Sequence, residues 1–351
     1  MVRQTDDGYI LAGATDVDDT GDGLILKVDS LGNELWSRTF SHCAFEGLFV
    51  TTDDGYIVSG WKNEELCIKG VLIKTNGQGT VLWEKTYGGS DICYLIQVQQ
   101  TADGGYIASG FSNVSGGDGW LLKTDADGNE LWNKTYGFES SSDWFHSVHE
   151  TNDNGFLLPG WSNRTTGCDG WVVKTDVQGT LEWMNSFDSG ESILGFDNYD
   201  MFLYGTQATD GGYILTGWAA VNFLTELGEC WLVKTDANGV LEWEQRVGKP
   251  WFFDLGLWVE PVSDGGYIVA GERYGRGAIL NFIFRGYGMP LKNQLLVFKT
   301  DAAGTIIWKL TYRDATARCV QQTIDGGYII AGHKGAYYST KGILLIKVSI
   351  S

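Results

Sequence analysis

Short apolar runs alternate with polar positions along the whole chain, and glycine punctuates the runs. The stretch Tyr106-Ile107-Ala108-Ser109-Gly110 is typical, followed by Gly119-Trp120-Leu121-Leu122-Lys123-Thr124-Asp125 and Asn129-Glu130-Leu131-Trp132. Runs of this length rich in Val, Ile, Leu, Trp and Tyr, cut by Asp-Gly and Gly-Gly turns, predict strands joined by tight hairpins. No segment carries the 3.6-residue period of an amphipathic helix. The aromatic after the glycine turn recurs at Tyr9, Tyr56, Tyr106, Phe156, Tyr213, Tyr267 and Tyr328, in steps of 47, 50, 50, 57, 54 and 61 residues. Each copy holds four predicted strands, A to D. Four-stranded units repeated seven times predict an all-β, seven-bladed β-propeller of antiparallel blades. It is read as a single domain over 1–351, with copies at about 1–40, 41–90, 91–140, 141–190, 191–248, 249–312 and 313–351.

The copies can be compared with one another. From the strand-C lysine (Lys27, Lys74, Lys123, Lys174, Lys234, Lys299) to the strand-D tryptophan (Trp36, Trp83, Trp132, Trp183, Trp243, Trp308) the distance is always 9. The C–D turn is therefore fixed, the A–B turn is nearly as regular, and both belong to one face. The connections on the other face vary. From the strand-B glycine to the strand-C lysine the distances are 14, 14, 13, 14, 17, 28 and 15. Two elaborations stand out, roughly 187–206 before the fifth repeat and 272–294 inside the sixth. Variable loops on a rigid scaffold are where binding is expected. The seventh copy ends at Gly342-Ile343-Leu344-Leu345-Ile346-Lys347-Val348 with no strand-D tryptophan, and the first begins inside strand A. That predicts 27 strands and a last blade lacking its own strand D. Either a strand from upstream completes it, or it has three strands and an edge open to another chain.

Composition refines this picture. With 49 Gly and only 4 Pro, the turns are tight and not linker-like. The net charge of −19 argues against nucleic acid as a partner and against an anionic lipid surface. No apolar stretch is long enough for a membrane-spanning helix, so no membrane insertion is expected. No signal peptide precedes the first repeat, which is expected of a cytosolic protein or of a mature or excised piece. The six cysteines lie far apart with no CxxC, so neither a zinc nor a dithiol motif is present.

The segments Lys-Thr-Asp-x-x-Gly-x-x-x-Trp at Lys123–Trp132 and Lys234–Trp243 resemble the tryptophan-docking repeats of pyrroloquinoline-quinone-type propellers. In those, a tryptophan four residues after a glycine packs between neighbouring blades. The whole unit also looks like the DGGYI…G…WL-K-TD-x-G-x-x-x-W repeats of archaeal and bacterial surface proteins, over nearly the whole chain. The resemblance speaks for fold, since propellers host unrelated activities. Quinone-binding propeller dehydrogenases usually have eight blades and often adjacent cysteines, and this chain has no Cys-Cys. The sialidase Asp-box places its aromatic three residues after the glycine, not four. Quinone chemistry, sialidase chemistry and any other cofactor are therefore not expected.

Candidate ligand contacts are the aromatics after the strand-B glycine, Trp61, Phe111, Trp161 and Trp218, and those opening strand C, Trp120, Trp171 and Trp231. Flat rings near a loop face can stack on sugars, with Asn63, Asn113, Asn163, Asp118 and Asp169 beside them to bond hydroxyls. Inter-blade packing asks for the same large residues. The insertion in the sixth repeat brings Arg273, Tyr274, Arg276 and Arg285 into a basic and aromatic patch suited to an acidic partner. Asp125-Ala126-Asp127-Gly128-Asn129 lacks the frame and terminal Glu of a calcium loop. His146 and His149 are expected to point to opposite faces of one strand, so no metal or catalytic role is assigned. Cys43 and Cys93, each 13 residues before the strand-B aromatic, are candidates for a disulfide between neighbouring blades, against free buried thiols as the default. The expected function is a non-enzymatic binding scaffold of a secreted or cell-surface prokaryotic protein, with a protein or glycan held on the B–C/D–A face. A lectin and a glycan-cleaving enzyme are the alternatives.

Overall fold

The computed structural model describes residues 1–14, 21–64, 67–90, 92–113, 117–163, 167–190, 199–220, 228–249, 252–275, 293–336 and 339–349. Among them there is no helix, and the strands form seven antiparallel sheets in chain order, a seven-bladed β-propeller. Blades 1, 2, 3, 5 and 6 each have four strands, and the last has three. Two compact units divide the chain, Met1–Arg164 with Lys174–Glu182, and Thr165–Val173 with Trp183–Ser351.

Strand A of blade 4 comes in two pieces, Asp143–Phe145 and His149–Glu150, so the described residues hold 28 strands against the expected 27. The cause is Pro159 in strand B (Phe156–Ser162). Its carbonyl accepts the amides of both His146 (2.9 Å) and Ser147 (3.4 Å), but a proline offers no N–H in return, so the ladder breaks there. His146 and His149 flank the break, and burial pushes both imidazoles down to about 4.

The strand-C lysine is more than a spacing marker. Its side chain is buried in blades 1–6 and its ammonium meets the aspartate of the same blade's A–B turn. The pairs are Lys27–Asp7, Lys74–Asp53, Lys123–Asp103, Lys174–Asp153, Lys234–Asp210 and Lys299–Asp264, the last five at 2.6–2.9 Å. Lys74, Lys123, Lys174 and Lys234 also donate to the carbonyl of the following threonine at 2.8–3.0 Å. The clasp ties both hairpin turns of a blade together on one face. This is why both turns keep their length.

For Asp153, desolvation pushes the carboxyl up, but the Thr151 hydroxyl and Lys174 outweigh it and hold it at about 2. Asp7, Asp53, Asp103, Asp210 and Asp264 are likewise lowered. A carboxyl whose folded value lies below its unfolded value near 3.8 contributes stability that is full above that value and lost as pH falls through the folded one. Unfolding free energy is therefore expected to decline steeply between about pH 4 and pH 2. The Asp153→Asn variant should show a shallower decline by denaturant titration, and an unchanged slope would refute the clasp. The Asp153 carboxylate is more than half exposed, so screening keeps its share to about 1 kcal/mol or less.

Blades are joined by the strand-D tryptophan. The rings of Trp36, Trp83, Trp132, Trp183 and Trp243 lie over the next blade's C–D turn glycine, Gly79, Gly128, Gly179, Gly239 and Gly304. A Cβ there would fall 2.6–2.9 Å from the indole, and φ is between +70° and +82° in each. The same rings, and Trp308, sit 5.6–6.1 Å from the next blade's strand-B aromatic. Within each blade from the second to the seventh, a strand-B glycine lets strand A approach: a Cβ on Gly60, Gly110, Gly160, Gly217, Gly271 or Gly332 would lie 1.7–1.9 Å from a strand-A carbonyl oxygen.

Candidate functional site: an aromatic row on the B–C and D–A face

Strand A begins, and strand B ends, on the face opposite the clasps. The register pairs Ala44 with Trp61, Tyr94 with Phe111 and Trp144 with Trp161. These positions bring five rings of blades 2–4 together. Trp61 meets Tyr94 edge to face at 6.2 Å, and Tyr94 lies 5.8 Å from Trp144 at 24°. Phe111 stacks on Trp144 at 4.2 Å and 13°, and Trp144 is parallel to Trp161 at 6.1 Å and 11°. Trp61, Tyr94, Trp144 and Trp161 are half-buried and Phe111 is nearly covered. Phe111 and Trp144 cover one face of each other, and the four half-buried rings keep part of their surface open to solvent. Tyr94 and Trp144 were not singled out in the sequence. Their signal was the strand-A position that pairs with the residue after the strand-B glycine.

Backbone bonds hold this edge of the sheets. The amides of Asn63, Asn113 and Asn163 donate to the carbonyls of His42, Ile92 and Ser142, and Asn163 Oδ1 accepts from Ser142 N at 2.5 Å. Lys62 pairs with Glu84 beside Trp61.

The strand-C tryptophans are elsewhere. Trp120, Trp171 and Trp231 are 3%, 0% and 1% exposed. Trp120 lies against Gly70 of the preceding blade and Trp231 against Gly170 and Phe202. Strand C is covered on both sides by neighbouring blades, so these rings fill interior space and present no surface to a ligand.

In the second unit, half-buried Trp218 lies 4.5 Å from Phe253, which is 6.1 Å from Tyr274. The basic patch expected around 273–285 takes a different form. Arg273 and Tyr274 belong to strand B of blade 6 (Tyr267–Gly275) and are buried. Arg273 makes a two-pronged pair with the fully buried Asp254, Nε–Oδ1 2.5 Å and Nη2–Oδ2 3.0 Å. Tyr274 donates to Glu272, whose carboxylate meets Arg318 at 3.1 Å. Burial raises both carboxyls, with Arg273 opposing for Asp254, and Arg318 and Tyr274 for Glu272. Arg276 and Arg285 lie outside the described residues.

Cys43 and Cys93 are both free and buried. Cys43 Sγ lies 3.5 Å from the Ser41 carbonyl and Cys93 Sγ 3.5 Å from Ser112 Oγ, so each thiol is turned into its own blade and no bridge forms. Burial pushes Cys43 up to about 11. The same position, 13 residues before the strand-B aromatic, holds Asp143, Asp200, Asp254 and Ala315 in later blades, all of them wholly buried. It is a core position that accepts a small or a hydrogen-bonded side chain. Asp143 Oδ2 accepts from Phe138 N and Ser141 Oγ, and Asp200 from Ser189 and Ala220 N. Asp118 shares the Gly137 corner with Asp143, and desolvation followed by that neighbouring charge raises its carboxyl. Among the described residues no three potential metal ligands cluster.

No known protein-family profile matches the chain, and no curated protein does. Solved structures do. The Dos1 propeller aligns at TM-score 0.55 and 10% identity, over 99% of this chain and 92% of that one. Periplasmic gluconolactonase PpgL of Pseudomonas aeruginosa aligns at 0.59 and 12%, over 97% and 99%. Sqt1 of Chaetomium thermophilum bound to the N-terminus of ribosomal protein L10 aligns at 0.53 and 12%, over 97% and 93%. At such identities the likeness is one of fold, and all are similar to this chain as β-propellers.

Proposed function

We propose that the chain is a non-enzymatic binding scaffold that holds a protein partner on the face of the B–C and D–A connections, with the aromatic row of blades 2–4 as its anchor. The row carries the reading: partly exposed tryptophan and tyrosine rings packed against one another are the residue types that dominate protein–protein hot spots. The opposite face is occupied by the lysine clasps and the tryptophan–glycine contacts. A net charge of −19 favours a basic partner through electrostatic steering. A similar propeller, Sqt1, is solved with a ribosomal protein's terminus, which supports a protein partner in general terms.

A lectin needs ring faces free for sugars. Phe111 and Trp144 cover each other at 4.2 Å, which disfavours that reading. A glycan-cleaving enzyme needs two carboxylates facing substrate. Asp143 is buried and hydrogen-bonded beside Asp118, as a structural carboxylate is. The repeat's resemblance to surface-protein repeats supports a secreted or cell-surface location, which protease accessibility on intact cells would test.

Selection of a displayed peptide library on the protein is expected to enrich sequences combining apolar and basic residues. Trp144→Ala, with its melting temperature checked, should weaken the selected peptides about tenfold or more. Peptides indifferent to Trp144→Ala, or a glycan-array signal that depends on Trp144, would overturn the reading.

A further inference from the structure

Asp143 opens strand A of blade 4 and stands opposite Ser162 at the end of strand B. Both are buried, at 0% and 1% exposure. One Asp143 oxygen is in use: Oδ2 accepts from Phe138 N at 2.9 Å and from Ser141 Oγ at 2.5 Å. Oδ1 has no hydrogen-bond partner, and neither does Ser162 Oγ. A buried oxygen left unbonded is costly, most of all when it carries charge. A second carboxylate reaches the same corner. A Cβ on Gly137 would lie 2.4 Å from Asp118 Oδ1 and 2.6 Å from Asp143 Oδ2, so the two oxygens flank one small space that a glycine leaves open. Gly137 is exposed and Asp118 half-buried, which gives ions from solvent a way in. Among the described residues no cationic side chain pairs with either carboxylate.

Other copies of the repeat show what such a corner needs. At the same strand-A position blade 6 has Asp254, and the strand-B residue opposite it is Arg273 where blade 4 has a serine. The guanidinium bonds both Asp254 oxygens. There too a carboxylate lies at the corner glycine: a Cβ on Gly248 would meet Glu229 at 2.4–2.8 Å. In blade 5 Asp200 is satisfied without a cation, because Ser189 N, Ser189 Oγ and Ala220 N serve both of its oxygens. The corner at Asp143 has the two acids seen at Asp254 without the arginine, and an open oxygen where Asp200 has none.

We infer that Asp118, Asp143 and Ser162 hold a calcium ion at this corner, the ion standing where Arg273 stands in blade 6. Two carboxylates and a hydroxyl are hard oxygen ligands. Calcium accepts an irregular set of them and completes its shell with water, whereas magnesium demands near-octahedral geometry. Asp143 precedes Trp144 and Ser162 follows Trp161, and the two rings face each other across the strands. The ion therefore ties together the strand ends that carry the aromatic row, whether or not the row binds a partner.

The test is calorimetric titration of calcium chloride into the chelator-treated protein at about 0.15 M salt, where the acidic surface is screened. One saturable site is expected, with Kd on the order of 10⁻⁴ to 10⁻³ M, and magnesium should bind at least about tenfold more weakly. Calcium should also raise the melting temperature. Asp118→Asn and Asp143→Asn should each weaken calcium at least about tenfold, while Asp127→Asn, on an exposed turn, should leave it unchanged. Asp118 is only half-buried, so its variant decides the matter if Asp143→Asn fails to fold. Absence of saturable binding, equal binding by Asp118→Asn and the parent, or an equal response to magnesium would overturn the assignment.

Discussion

Alanine at Gly110 is expected to destabilise the protein by about 3 kcal/mol or more, read as a fall in the denaturant midpoint. On chain entropy alone a glycine-to-alanine change would stabilise by under about 1 kcal/mol. Steric contact decides the sign here. The new methyl would lie 1.9 Å from the Tyr94 carbonyl oxygen, 2.8 Å from its carbon and 3.0 Å from Leu95 Cα. All three are backbone atoms that no rotamer change can move, so strands A and B must separate. Overpacking relieved by side chains costs about 1–3 kcal/mol, and this contact lies at or beyond that range. Gly13 is the control. It is the strand-B glycine of blade 1, where a Cβ meets nothing within 4 Å, and Gly13→Ala should be neutral or slightly stabilising. Equal effects at the two sites would mean that strand A does not approach as described.

Asp254→Ala carries the second large effect, about 3–5 kcal/mol, because it leaves the Arg273 guanidinium buried without its carboxylate. Arg273 is 4% exposed and Asp254 0%, so water cannot replace the lost partner. Converting the pair together, Asp254→Leu with Arg273→Met, should recover most of the loss, since a buried ion pair is worth little more than well-packed apolar residues. A double-mutant cycle on unfolding free energy measures the coupling. Additive losses would show that the two residues act independently.

Much of the architecture was legible because the repeat supplies its own internal comparison. The invariant lysine-to-tryptophan spacing located one conserved-length face, and the missing tryptophan of the seventh copy located the three-stranded blade. The roles behind those spacings were harder to read. The lysine served as a ruler, and its aspartate partner in the preceding turn, also repeated in each copy, passed as a turn former. Trp61 and Trp120 read alike in one dimension, as large rings in apolar runs. Which is half-exposed depends on strand C being covered by neighbours on both sides, a property of the stacked blades and not of local pattern. Cys43 and Cys93 are a candidate bridge only when those two copies are set side by side; with Asp143, Asp200, Asp254 and Ala315 at the same position it reads as core, in keeping with free buried thiols as the default. Arg273 and Tyr274 looked like loop residues because the long insertion hid how far strand B of blade 6 runs. The break at His146 follows from Pro159, one of only 4 prolines, placed where strand A needs a donor.

The central claim, that the face of the aromatic row is the binding face, is tested most directly by site-specific photo-crosslinking in extracts of the producing cells. A benzophenone side chain replaces Tyr94 on that face or the exposed Asp127 on the C–D turn of the opposite face. The account predicts protein adducts from position 94 that disappear when Trp61→Ala is added, and none from position 127. Adducts formed from position 127 alone would contradict it.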